Sequence, residues 1–210
     1  MGMSMPKKID LKKLRKEFLS DLNDSVERLD TAIQKEYDYL LIRWMSAMTS
    51  VELHGIWERY VENRLVAALN HSSKHFVDEE GVSGVKHISY GLASYIIRSG
   101  GKFFDFRSTA ELLRKSDDWL GQASNPFRCL SVGDRQYIDT LAAVRNCVVH
   151  GSDASKTSYR YHLKKVYSIK YAPAPDEFLN AVDNRAASRF RYETRIKGLA
   201  KVLENAIQTT

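Results

Sequence analysis

From residue 9 to residue 49 the chain contains neither glycine nor proline, and its apolar residues return every three or four positions: Leu11, Leu14, Phe18, Leu22, Val26, Leu29 and Ile33. That spacing matches the 3.6-residue period of a helix and is incompatible with the two-residue alternation of a half-buried strand. Leu40, Leu41, Trp44 and Met45 carry the pattern on. The segment is therefore one long helix, or two with a kink. A chain that commits this much of its length to one amphipathic element has to bury the stripe against other helices.

The remainder agrees. Residues 51–76 form a second long helix, with Leu53, Ile56, Trp57, Tyr60, Leu65, Ala68 and Leu69 on its apolar side, broken by Gly81 and Gly84. Residues 85–98 read as a shorter helix, closed by Gly100 and Gly101. Ser108 or Thr109 caps a helix over 110–120, with Glu111 in the favourable first turn. Ser131 or Asp134 starts a helix that Gly151 stops. Residues 152–158 are polar and read as a loop. In 159–171 the apolar residues alternate in part (Tyr159, Tyr161, Leu163), which leaves a strand open as well as a helix. Pro173 and Pro175 make a rigid connector, residues 176–182 a short helix, and residues 192–207 a final amphipathic one. The expected fold is all-α: a single-domain bundle of about six to seven helices over 9–210, after a flexible N-terminus at 1–8. No strand, glycine-rich loop and helix follow one another, which argues against an α/β nucleotide-binding fold.

Bulk properties narrow the function classes. No run approaches the roughly 18 apolar residues that cross a bilayer, and the charged start of the chain lacks the apolar run of a secretory signal. The two cysteines, Cys129 and Cys147, lack a metal-ligand or redox spacing. The expectation is a cytoplasmic protein with free thiols, no membrane partner and no cofactor. Net charge is +6, from 32 Lys and Arg against 26 Asp and Glu, which permits an acidic partner such as RNA.

The chemistry concentrates in Arg145-Asn146-Cys147-Val148-Val149-His150-Gly151. It ends an apolar helical stretch that begins near Tyr137. A permanent cation suits a phosphate, and an imidazole moves protons near neutral pH. Residues five apart on a helix point about 140° apart, so Arg145 and His150 are not expected to converge by themselves. Convergence calls for a distorted last turn or a second subunit. Asn146 and His150, four apart, share a face, so the amide is placed to orient the ring.

An Arg-Asn pair, a few apolar residues and then His-Gly at the end of a late helix resembles the HEPN superfamily (higher eukaryotes and prokaryotes nucleotide-binding). These are small helical bundles, many of them metal-independent endoribonucleases of toxin–antitoxin, abortive-infection or other antiviral systems. The motif spans only six residues, but the likeness extends from the early helix His54 to Glu62 through to the final helix. The resemblance implies an RNA substrate, a homodimer with a composite active site, and an antitoxin or regulatory protein as a further partner. It implies that Arg145 stabilises a phosphorane, that His150 is general acid or base, and that Asn146 orients His150 or binds phosphate. It implies that Glu58 is the acidic residue on the early helix that faces the motif. In members paired with a nucleotidyltransferase antitoxin, a tyrosine stands two residues after the histidine. Ser152 occupies that position here, which puts regulation by that partner in doubt. The alternative is a non-catalytic module that binds RNA, a nucleotide or a protein.

Other residues invite chemistry less strongly. His71 and His75 have the four-residue spacing of a helical metal pair, yet no third ligand is apparent, and a polar helix end is the simpler reading. Cys147 lies in an apolar stretch and reads as a structural thiol. Arg160, His162, Lys164, Lys165 and Lys170 interleave with Tyr159, Tyr161, Tyr167 and Tyr171, a composition suited to single-stranded RNA. Arg185, Arg189, Arg191 and Arg195 read more readily as surface charge.

Overall fold

The computed structural model describes residues 8–81, 85, 87–186 and 188–209. The flexible leader expected over 1–8 falls outside them except for Lys8, as does Gly84. Among the described residues are nine α-helices: α1 (Leu11–Gln34), α2 (Tyr39–His71), α3 (Lys74–Glu79), α4 (Tyr90–Ile97), α5 (Thr109–Leu120), α6 (Val132–His150), α7 (Asp153–Tyr167), α8 (Pro175–Asn180) and α9 (Arg195–Thr209). A 3-10 turn covers Pro126–Cys129. The fold is all-α; among the described residues the β pairing is one isolated bridge, Val182 to Thr194.

The structure corrects some of these expectations and decides others that were open. The helix count is nine rather than six or seven. Of the two readings of the long N-terminal stretch, the structure has the two-helix one, parted at residues 35–38 where Glu36 takes φ +52°; the second helix runs unbroken to His71, past the break expected near residue 50. Residues 85–89 stay outside any helix wherever they are described, because Ser89 caps α4: its hydroxyl accepts from the Leu92 N–H at 3.3 Å. Residues 153–167 are one helix, α7, which replaces the polar loop expected over 152–158 and, of the helix and strand left open beyond it, selects the helix. Ser152 caps it by accepting from the Ser155 N–H at 3.2 Å. Ser155, Tyr159, Leu163 and Tyr167, four apart, form its buried face, while Tyr161 lies on the opposite, exposed face. The apparent alternation joined residues from two sides of a helix.

The chain gathers into two compact units. The first is formed, among the described residues, by 8–18 and those of Glu58–Leu130. The Phe18 and Tyr60 rings meet at a tilt of 54° with centroids 4.8 Å apart. Asn70 accepts from the Ile9 N–H at 3.2 Å and donates to the Ile88 carbonyl at 2.8 Å. Glu62 receives the Arg98 guanidinium and the Phe104 N–H. Asn125 donates to Ser116 Oγ and Asp117, and accepts from the Phe127 N–H at 2.9 Å.

The second unit combines Leu19–Trp57 with Ser131–Gln208. Arg43 on α2 pairs with Asp176 at 2.7 Å and Glu177 at 3.0 Å on α8. Ser46 bonds Asn180 at 3.0 Å, and Lys197 on α9 meets Asp30 on α1 at 2.7 Å. Helices α6 and α7 pack along one another. An aromatic cluster fills the space beside them: Tyr167 stands edge-on to Tyr137 (5.7 Å) and to Phe178 (4.9 Å). This packing fixes the two helices that carry the candidate chemistry.

Candidate functional site

The motif helix is defined at both ends. Ser131 accepts from the Asp134 N–H at 3.0 Å, so the first-turn donors are satisfied. At the other end Gly151 adopts φ +57° and its N–H returns to the Cys147 carbonyl at 3.1 Å. Only a residue at ease in the left-handed region closes a helix this way. Ser152 follows at once as the cap of α7. The last turn of α6 is therefore held between a glycine stop and a serine start. Ile138, Leu141, Ala143 and Val144 bury its inner face, while Arg145 and Asn146 are half-exposed and His150 is exposed.

Arg145 gathers the site. Its Nη1 donates to Asn146 Oδ1 at 2.8 Å and stands 3.5 Å from His150 Nε2. The two residues expected to diverge thus meet within one chain, because a long guanidinium arm spans the angle that their Cβ directions leave open. With Arg145 as donor, Nε2 is the accepting nitrogen and the neutral ring carries its proton on Nδ1. Asn146 holds the guanidinium, and its oxygen does not touch the imidazole. The arrangement is a cation, an imidazole lone pair and open solvent at one helix end, which is enough to hold a phosphate and accept a proton from a neighbouring hydroxyl.

The remaining site residues divide. Glu58 is half-buried on α2 and belongs to the first compact unit, whereas Arg145, Asn146 and His150 belong to the second. Glu62 is taken up by Arg98 and the Phe104 amide, and His54 is buried. His71 and His75 do not share a helix: α2 ends at His71, whose Nε2 meets the Ile9 carbonyl at 2.8 Å. Among the described residues no three His, Cys, Asp or Glu side chains are grouped to hold a metal ion. Burial raises the Cys147 thiol pKa, an effect that Lys156 and Arg160 oppose.

On α7, Arg160, Tyr161, Lys164 and Lys165 are all exposed. Lys165 Nζ lies over the Tyr161 ring at 5.4 Å. Lys170 and Tyr171, members of the same basic and aromatic cluster in the sequence, follow α7, with the Lys170 ammonium 5.6 Å from the Tyr171 ring centre. Both come after the αL stop at Ser168 (φ +58°), which ends α7. By contrast, Arg185 is bound to Asp183, Arg189 pairs with Asp134, and Arg195 lies over Phe178. Those three belong to the fold.

Among the described residues no helix is long and apolar enough to cross a membrane. Comparison with protein-family models, with curated proteins and with solved structures finds no match for this chain.

Proposed function

We infer that the chain is a metal-independent endoribonuclease of HEPN type, used as a toxin or antiviral effector in the cytoplasm. The observation that supports this most is the contact set of Arg145 with Asn146 and His150 at the open end of α6. In this reading Arg145 binds the scissile phosphate and stabilises the charge that grows on its oxygens. His150 Nε2 takes the proton of the ribose 2′-hydroxyl. The 2′-oxygen attacks phosphorus, the bond to the 5′-oxygen breaks, and the leaving oxygen is protonated. The products are a 2′,3′-cyclic phosphate and a 5′-hydroxyl.

One imidazole cannot be base and acid in the same step. A homodimer with two facing motifs supplies both, and the half-exposed motif face with Val149 at 48% exposure leaves room for a second copy. Asn146 sets the guanidinium angle and so acts as a positioning residue. An antitoxin or other regulatory protein would keep such an activity silent.

The test is cleavage of RNA by purified protein in EDTA, with product ends analysed. The wild type is expected to give cyclic-phosphate ends. His150→Ala is expected to lose about 10²–10⁴-fold and Arg145→Ala about 10²–10³-fold, both with unchanged helicity. Cleavage that survives both substitutions would overturn the assignment, and RNA binding without turnover would favour a binding module.

A further inference from the structure

A cleft of about 450 Å³ opens along α7 and the segment after it, lined by Arg160, Tyr161, Lys164, Ile169, Lys170 and Tyr171. Its volume lies within the range of about 300–1,000 Å³ usual for ligand sites. Its charge sets it apart. Three other clefts among the described residues mix signs: Glu27 with Arg28, Glu204 with Lys197, and Asp118 with Arg114. The α7 cleft holds three cations and no acid. Among the described residues none of Arg160, Lys164 or Lys170 has an ion-pair partner, although Arg43, Arg98, Arg128, Arg185 and Arg189 are all paired. Three uncompensated cations at one concavity raise the local potential and draw a polyanion.

The aromatic residues narrow the choice of anion. Tyr161 is 57% exposed and Tyr171 82%, and each has a lysine over one face. A ring with a cation on one face and water on the other presents a flat surface to which an unpaired base can stack. A protein or lipid anion has no flat base for these rings.

We propose that this cleft is a single-stranded RNA groove, with Tyr161 and Tyr171 each stacking a base and Arg160, Lys164 and Lys170 contacting the phosphates between them. The proposal rests on the ribonuclease reading for its biological sense, and extends it by naming the substrate class and where the strand leaves the site. Arg160 lies eight residues beyond Ser152, about 12 Å along the α7 axis. A strand cut beside His150 reaches the groove within a few nucleotides. Duplex RNA, whose base faces are hidden in the stack, fits the cations but not the tyrosines.

The experiment measures binding of a labelled single-stranded 12-mer to the full chain carrying His150→Ala, across a salt series. Lys164→Gln with Lys170→Gln is expected to weaken binding at least tenfold and to lower the salt slope by about 1.4, the share of two phosphate contacts on a single strand. Tyr161→Ala with Tyr171→Ala is expected to weaken it at least fivefold with the slope unchanged, and the corresponding phenylalanine changes to restore it. A matched duplex is expected to bind more weakly and to be insensitive to the tyrosine changes. Unchanged binding in both double variants would overturn the groove. So would equal competition by inorganic polyphosphate, which has no bases. Failures of the two readings are separable. If the wild type cleaves and groove variants cleave the 12-mer with unaltered KM, the groove falls and the ribonuclease stands. If the wild type cleaves nothing but binding remains tyrosine-dependent, the groove stands and the ribonuclease falls.

Discussion

Arg145 shows how far a residue's reach departs from its position on a helical wheel. Arg145, Asn146 and His150 were legible as a set, because residue types are printed in the sequence. Their arrangement was not, because spacing reports Cβ directions and not the length of a guanidinium arm. Cys147, between them, makes a sharp control. Its thiol is half-buried with its pKa pushed up by burial, so it is a poor nucleophile. Cys147→Ala is expected to retain RNA cleavage within about twofold of the wild type, while a thiol reagent labels the exposed Cys129 first; a large loss of cleavage would make the thiol a participant. Asp183 sets a pH limit on the fold. Burial pushes its carboxyl up, but hydrogen bonds from Arg185 and Ser188 prevail and hold it at about 2. A carboxylate depressed in the folded state contributes above its unfolded pKa, near 4, and loses that contribution as pH falls through about 2. The contribution is on the order of 2 kcal/mol. In urea melts, Asp183→Asn is expected to cost about that much at pH 7 and progressively less as pH approaches 2.

At the scale of elements, the serines carried most of what could be read. Ser108 and Ser131 start α5 and α6 at positions the sequence marked, since a short hydroxyl before an acidic residue is a local signal that needs no tertiary contact. Ser131→Ala is expected to cost about 1 kcal/mol, seen as a lower melting midpoint. Gly151→Ala meets nothing within 4 Å, but its φ of +57° makes the change cost about 1 kcal/mol as well. Both predictions fail if the melting midpoint does not move. Two elements were only partly legible, for opposite reasons. The gap between α1 and α2 has no glycine or proline to announce it, and depends on Glu36 accepting a left-handed turn. Helix α7 carries tyrosines on two faces, so its composition imitates alternation until Tyr159, Leu163 and Tyr167 are seen to be buried together.

At the scale of the molecule, neither compact unit is a continuous stretch of chain. In the second, residues far apart in sequence are joined by Arg43 with Asp176 and by Ser46 with Asn180. Such pairings close long loops and form late in folding. A fragment ending at Leu130 keeps 19–57 but lacks Ser131–Gln208, and so leaves Leu22, Leu29 and Leu53 without the rest of their unit. Hydrogen exchange on that fragment is expected to show unprotected amides through 19–34, and protection equal to that in the full chain would contradict the division. The junction of α6 and α7 sets a different limit, on the lineages that can descend from such a chain. One glycine ends the first helix and one serine begins the second. Substitutions there cost a little stability and can be compensated elsewhere. An inserted residue that joined α7 would turn the helix by about 100° at a stroke, carrying Arg160 and Lys164 away from their neighbours like a gear that has skipped a tooth. Point changes can drift across this junction, but changes in length cannot.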